Sequence, residues 1–337
     1  MTRIKDRFDR PIQDLRISVM DTCNYRCAYC MPEDKFDDDY QFLRPDQRLS
    51  FSQITRLATQ FAAMGVSKLR LTGGEPLLRK KLHTLVTELK NIDGIQDIAI
   101  TTNGVLLEKQ LPNLIDAGLN RVTISLDALD DTLFQRLNGH KGSIKPVLKA
   151  IDAAINSSLQ VKINCVVQKN CNESQILPII EHFRDSGAIV RFIEFMDVGN
   201  INDWHSDAVV TGQDILNIID TKHPFSAVTP NYHGEVAKRY QLDDASLEFG
   251  LITSVSQPFC GDCGRARLSA DGQLYTCLFA NQGHNLKPLL NDPHMNDHEL
   301  TSQLTNIWQQ RSDRYSEQRH KLTDRKKSKI EMYVIGG

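Results

Sequence analysis

Short apolar runs rich in β-branched residues recur along the first two thirds of the chain, separated by stretches whose apolar positions fall three and four residues apart. The runs predict strands over Leu15 to Val19, Lys68 to Thr72, Asp97 to Thr101, Arg121 to Leu126, Lys162 to Val167 and Ile189 to Phe195. The intervening spacing predicts helices, as in Ile54, Leu57, Ala58, Phe61 and Ala62, in Leu82, Leu85, Val86 and Leu89, and in Ile176, Ile179, Ile180 and Phe183. Ser50 with Gln53, and Asn172 with Gln175, have the spacing of capping boxes. Six strand-then-helix units predict a parallel sheet with covered faces, either open or curled into an incomplete barrel. Periodicity does not choose between the two.

The alternation fades after about residue 200, where Trp204, His205, Pro224, Pro230 and Gly234 mark a loop-rich stretch, and a hairpin-like region follows around Tyr240 to Ser254. The chain therefore divides into an α/β domain over residues 1–240 and a smaller C-terminal domain over residues 241–337. A length of 337 residues, 40% of them hydrophobic, supports one large core and a second lobe. The 40 Lys and Arg against 42 Asp and Glu leave a formal charge of −2, which excludes a global field that gathers nucleic acid or an acidic membrane. Any anion site must be local. The first residues lack the apolar segment of a secretory signal, and no run approaches the roughly 20 apolar residues that span a bilayer. A cytoplasmic location is expected.

Against that background the eight cysteines stand out. Cys23, Cys27 and Cys30 follow the first strand, Cys260, Cys263 and Cys277 come late, and Cys165 and Cys171 lie on or beyond the fifth strand without a third partner. A cytosolic chain that clusters thiols at short spacing binds metal more often than it forms disulfides. Three thiolates on one loop suit three corners of a cubane [4Fe-4S] cluster, whose fourth iron stays open to another chelator. Zinc completed by His83 or His140 at the first group, or by His284 at the second, is the alternative that spacing leaves open. Placement after a parallel strand favours a functional loop at the first group, because such folds carry their sites at the carboxyl ends of the strands. The Gly73, Gly74, Glu75, Pro76 segment after the second strand lets backbone approach a ligand closely. Arg265 and Arg267, two residues apart beside the second group, share a face if the chain is extended there, and Arg16 in the first strand could join them across the domain gap.

The Cys-x3-Cys-x2-Cys spacing, with Tyr29 before its last thiol, resembles the radical S-adenosylmethionine superfamily. That resemblance implies an incomplete (β/α)6 barrel of the TIM type over most of residues 10–240. It also implies that Cys23, Cys27 and Cys30 hold a [4Fe-4S] cluster, with Tyr29, Gly74, Ser125 and Met196 contacting S-adenosyl-L-methionine. The two thiol groups taken together are similar to the family of these enzymes that cyclises GTP at the start of molybdenum cofactor biosynthesis. For the C-terminal domain this implies a second [4Fe-4S] cluster on Cys260, Cys263 and Cys277, whose open iron binds guanine. Arg16, Arg70, Thr101, Lys162, Arg265, Ala266 and Arg267 then bind GTP, and Arg16, Arg265 and Arg267 are the catalytic candidates. Arg70, Thr101 and Lys162 sit at strand positions that could point into a barrel interior, where a charge needs a partner.

The implied reaction begins with a 5′-deoxyadenosyl radical that takes hydrogen from C3′ of GTP. The carbon radical attacks C8, and a further electron and proton give (8S)-3′,8-cyclo-7,8-dihydroguanosine 5′-triphosphate. The resemblance further implies an electron-donor protein, passage of product to cyclic pyranopterin monophosphate synthase, a homodimer, and a tail ending in Gly336 and Gly337 that reaches the active site. The stretch from Arg311 to Lys329, with eight Lys or Arg against three Asp or Glu, is read as a solvated helix face or a contact for phosphate or a partner. Two rivals remain: a radical enzyme of the same superfamily that modifies a peptide, and a zinc-stabilised binding module.

Overall fold

A computed structural model describes residues 3–37, 39–319 and 329–336. Six parallel strands, β1 (Asp14–Met20), β2 (Lys68–Gly73), β3 (Asp97–Thr102), β4 (Arg121–Ser125), β5 (Gln160–Val167) and β6 (Ile189–Glu194), lie side by side in chain order. Each agrees with the predicted strand to within two residues. Helices between them, such as Phe51–Ala63, Leu82–Lys90 and Ile176–Phe183, return the chain to the starting edge and cover the outer face. The result is an incomplete α/β barrel.

Side-chain alternation builds this wall. Leu15 and Ile17, Leu69 and Leu71, Ile98 and Ile100, Val122 and Ile124, and Val190 and Phe192 turn toward the helices and are buried in one apolar core. The intervening positions turn the other way, and they are polar: Arg16, Arg70, Thr101, Thr123, Lys162 and Arg191. A parallel sheet buried on both faces normally reads as continuous apolar sequence. Here the inner face is reserved for something charged.

The six remaining strands come from the C-terminal third. Strands β7 (Phe225–Val228), β8 (Lys238–Leu242) and β9 (Glu248–Ile252) extend the β6 edge, with β9 parallel to β6. At the opposite edge β10 (Arg265–Leu268) runs parallel to β1, followed by β11 (Gln273–Tyr275) and the short β12 (His284–Asn285). The hairpin expected around residues 240–254 is β8 and β9, and residue 240 lies inside β8. The expected gap between Arg16 and the late arginines is absent, because Arg16 and Arg267 are register partners on adjacent strands.

The Ser50 capping box forms, with Ser50 Oγ accepting from the Gln53 N–H and Gln53 Oε1 accepting from the Ser50 N–H. The box expected at Asn172 does not. Its amide instead donates to the carbonyls of Asp127 and Val166, both 2.8 Å away, and so fastens the ends of β4 and β5. Among the described residues no helix is long and apolar enough to cross a membrane.

Candidate functional site

The loop after β1 carries Cys23, Cys27 and Cys30 across the carboxyl ends of the strands, and the residues after β2 splint it. Gly74 donates its N–H to the Met20 carbonyl and Glu75 to the Thr22 carbonyl, each at 2.8 Å. A Cβ on Gly73, whose φ is +139°, would lie 2.1 Å from the Met20 oxygen, and one on Gly74 would lie 2.3 Å from the Thr22 oxygen. Neither position accepts a side chain while the loop stays in place. The Glu75 carboxylate accepts from the Thr102 hydroxyl (2.8 Å) and from the N–H groups of Leu77 (3.0 Å) and Asn103 (2.8 Å), which ties β2 to β3.

Burial pushes the Cys23 thiol up to about 11, with the Glu75 charge adding to it. Cys27 and Cys30 are also raised, first by burial and then by neighbouring thiols. Three crowded, buried thiols become thiolates together only if a cation lies among them, so the donor set fits a soft metal cluster. The Tyr29 hydroxyl donates to Asp127 Oδ2 at 2.7 Å, while Asp127 Oδ1 accepts from the Val166 N–H at 2.8 Å. Burial raises the Asp127 carboxyl to about 6 despite these donors.

Below this loop the inner face is a row of cations. Arg267 of β10, Arg16 of β1 and Arg70 of β2 occupy one register level. Thr101, Thr123 and Lys162 form another level across β3, β4 and β5, and Arg70 Nη1 donates to both threonine hydroxyls, at 3.0 and 3.2 Å. Burial lowers Arg70 to about 9, helped by Arg121 and Arg191. Burial lowers Arg191 to about 10, with Arg121 adding, and lowers Arg267 to about 10, with Arg265 adding. Arg16 falls well below its ordinary value through burial, then Arg267 and Arg70. Lys162 drops to about 7 through burial, then Arg191 and Arg121. The Asp97 carboxylate pairs with Arg121 at 2.6 Å and offsets only part of this charge. Buried cations that repel one another favour a polyanion between them.

The second thiol group sits at the far side of the same cavity. Cys260 opens a single helical turn and Cys263 ends it, immediately before β10, while Cys277 follows β11. Cys263 Sγ accepts from Arg265 Nη2 (3.2 Å), Arg265 Nε (3.4 Å) and Arg311 Nη2 (3.3 Å). Burial alone would push that thiol up, yet Arg265 and Arg311 outweigh it and bring it down to about 6. Cys277 is raised to about 12 by burial and then by Asp313. Arg10, which lines this wall, has its Nη2 buried without a hydrogen-bond partner. Among the described residues no three His, Cys, Asp or Glu side chains are drawn close enough to hold a single metal ion, and no histidine lines the cavity. The histidines that a zinc reading requires are thus elsewhere, with His284 exposed on β12.

One continuous cavity brings together both thiol groups with Tyr29, Gly74, Ser125, Met196, Arg16, Arg70, Thr101, Arg265 and Arg267. Lys162 is buried and is not among the residues that line the cavity. Ala266 turns away from Arg265 and Arg267 into the apolar core beside Leu15, so only its backbone could meet a ligand. The C-terminal tail reaches the chamber: Arg267 Nη1 donates to the Ile335 carbonyl (3.2 Å) and to that of Gly336. A Cβ on Gly336 would fall 2.0 Å from Thr72 Cγ2. Gly337 lies outside the described residues.

Residues 320–328 of the basic stretch also lie outside them. Of its described cations, Arg311 and Arg319 are buried, Arg319 and Lys329 pair with Asp197 at 2.9 and 2.8 Å, and Arg314 is partly exposed beside Glu317. Sequence reasoning passed over Arg121, Arg191, Asn103 and Asp127, all of which line the cavity, and gave the Glu75 carboxylate no role of its own. Arg191 carried the same signal as Arg70, a charge alternating with apolar residues in a parallel strand.

Residues 17–183 match the Radical SAM superfamily and residues 188–317 match Molybdenum Cofactor Synthesis C. A protein of Xanthomonas campestris pv. campestris (strain B100) named GTP 3′,8-cyclase is 52% identical over 335 residues, 99% of this chain and 97% of that protein. One of the same name from Staphylococcus haemolyticus (strain JCSC1435) is 48% identical over 340 residues, covering all of both chains. Among solved structures, Streptococcus suis SuiB bound to precursor peptide SuiA superposes with a TM-score of 0.59 at 15% identity, covering 86% of this chain and 67% of that one. At that identity the likeness is one of fold.

Proposed function

The chain belongs to the GTP 3′,8-cyclase family of the radical S-adenosylmethionine superfamily, and from that premise we propose how its two thiol groups and its basic chamber divide the work. The enzyme converts GTP to (8S)-3′,8-cyclo-7,8-dihydroguanosine 5′-triphosphate, the first step of molybdenum cofactor biosynthesis, with release of 5′-deoxyadenosine and L-methionine.

The proposal assigns a [4Fe-4S] cluster to Cys23, Cys27 and Cys30 and a second to Cys260, Cys263 and Cys277, the latter in a C-terminal unit over residues 241–337. When bound, the first supplies the electron that cleaves S-adenosylmethionine and the second offers an open iron to guanine. Gly73 and Gly74 hold the first thiol loop at the close approach that a backbone without Cβ atoms allows. Asp127 fixes the Tyr29 hydroxyl, and Ser125 and Met196 complete the wall on that side. Arg16, Arg70 and Lys162, with Arg265 and Arg267, neutralise the triphosphate and set how far the ribose lies from the adenosyl group. The tail lies beside the phosphate site, where the Ile335 and Gly336 carbonyls accept from Arg267 Nη1 and orient its guanidinium.

The single observation that carries this reading is the row of mutually repelling cations between two thiol triads in one cavity. The decisive experiment incubates anaerobically reconstituted protein with dithionite, S-adenosylmethionine and GTP and follows products by mass spectrometry. Release of 5′-deoxyadenosine with a cyclised nucleotide is expected; 5′-deoxyadenosine without nucleotide change removes the cyclase reading. GTP binding that survives replacement of both Arg265 and Arg267 by alanine would count for a peptide-modifying relative instead. In the cell the proposal places the enzyme in the cytoplasm with an electron-donor protein, as a homodimer, handing its product to cyclic pyranopterin monophosphate synthase.

A further inference from the structure

Three segments far apart in sequence meet behind the second thiol group. Asp6 and Arg10 come from the N-terminus, Cys260 and Cys263 from the turn before β10, and Arg311 and Asp313 from the stretch after the helix Asp297–Gln309. Asp6 Oδ2 accepts from Arg10 Nε at 2.7 Å and from Arg311 Nη1 at 3.3 Å, so one carboxylate orients two guanidiniums. All three side chains are almost wholly buried.

Each arginine then grips the thiol turn. Arg10 Nη1 donates to the carbonyls of Cys260 and Asp313, both at 2.8 Å. Arg311 donates to the Cys263 carbonyl and, through Nη2, to Cys263 Sγ at 3.3 Å. The Trp308 ring lies under the Arg311 guanidinium, 4.6 Å from it, and Trp308 Nε1 donates to the Arg10 carbonyl at 3.3 Å. Arg10 Nη2 and Arg311 Nε have no hydrogen-bond partner, though Arg10 and Arg311 both line the cavity. Arg311 Nε lies 3.5 Å from Asp313 Oδ2, so two carboxylates serve the two guanidiniums, yet Arg10 Nη2 stays buried without a partner, an expensive arrangement for a structural clasp alone. It becomes favourable when an electron-rich group occupies the adjoining space.

We propose that Arg10 and Arg311, oriented by Asp6, are positioning residues that donate hydrogen bonds to the sulfur atoms of the second cluster and hold its reduction potential up. This rests on the assignment of a [4Fe-4S] cluster to Cys260, Cys263 and Cys277. Hydrogen bonds and positive charge at the sulfurs stabilise the reduced, more negative cluster over the oxidised one. Keeping the second cluster less reducing than the first directs the strong reductant toward S-adenosylmethionine and away from the bound purine.

The test uses the full chain with Cys23, Cys27 and Cys30 replaced by alanine, so that only the second cluster is observed. Iron analysis of the anaerobically reconstituted protein should give about four iron per chain. Redox titration monitored by electron paramagnetic resonance is then compared among this protein and its Arg311→Lys and Arg10→Lys derivatives, which keep the charge but lose the planar fork. Each lysine derivative should retain its iron, and its oxidised-to-reduced ratio at a fixed potential should rise at least threefold. Four iron with an unmoved midpoint in both derivatives overturns the proposal and leaves the cluster assignment standing; fewer than about one iron per chain in the parent sinks both. Should either derivative fail to fold, the parent itself decides: exchangeable-proton couplings on the reduced cluster that disappear in D2O are expected, and their absence overturns the proposal.

Discussion

The two thiol triads share a donor set and a cavity, but their surroundings have opposite sign. The first is splinted by backbone and glycine, with Glu75 and Asp127 raising its thiols, and Arg26 donates to the Cys23 and Tyr25 carbonyls rather than to a sulfur. The second is gripped by guanidiniums, with Arg265 and Arg311 on one sulfur and Arg10 on the turn that carries it. Burial acts on both, and at Cys263 the guanidiniums outweigh it and hold the thiol near 6, whereas Cys23 stands near 11 and Cys277, in the second group but beside Asp313, near 12. The contrast suits an electron donor at one end and a substrate anchor at the other.

The most severe way to break the contrast is to remove one thiol from each end. Cys27→Ala should abolish 5′-deoxyadenosine release altogether. Cys263→Ala should abolish the cyclised nucleotide while 5′-deoxyadenosine still appears at a reduced, uncoupled rate; equal loss of both products in the two variants would make the ends equivalent. Next in size is Gly74→Ala, whose Cβ meets the Thr22 carbonyl at 2.3 Å. Displacing that backbone costs about 1–3 kcal/mol and should empty the first triad selectively, leaving about four of about eight iron atoms per chain. An unchanged iron content would show that the splint is dispensable.

Arg70→Ala sharpens the picture of the chamber between the ends. A charge-assisted hydrogen bond contributes about 1.5–3 kcal/mol, so GTP should bind roughly ten- to a hundredfold more weakly, while S-adenosylmethionine affinity measured in parallel stays unchanged. The smallest effect concerns Lys162. Its amine falls from 10.5 to about 7 in the folded chain, so between those values the unfolded chain binds more protons and stability rises with pH. A triphosphate reverses the shift. GTP binding at pH 8 should therefore take up close to one proton, visible as a dependence of the calorimetric enthalpy on buffer ionisation, and affinity should fall by up to about tenfold per pH unit above 7. Proton release instead would place the amine outside the phosphate site.

Much of this was legible in the sequence because it is local. A thiol motif is complete within eight residues, and a strand announces itself in the alternation of Leu15, Arg16 and Ile17. The same alternation already implied that Ala266 turns away from its arginine neighbours. What stayed hidden depends on partners far along the chain. Arg10 and Arg311 look like surface cations until Asp6 and the thiol turn are folded against them. Asn172 has the spacing of a cap, yet the bare carbonyls of Asp127 and Val166 compete more effectively for its amide. The parallel pairing of β10 with β1 joins positions 251 residues apart in sequence, such as Arg16 and Arg267, and no local pattern marks it.

That pairing also sets an order of assembly during synthesis. The β1 strand emerges from the ribosome early, but its outer edge waits for β10, and Arg16 lacks the neighbour on its left until Arg267 has been made. The nascent chain can stack its βα units one after another, whereas the basic row closes only near termination. A half-made chain thus carries the first thiol loop before the row of cations beneath it is complete.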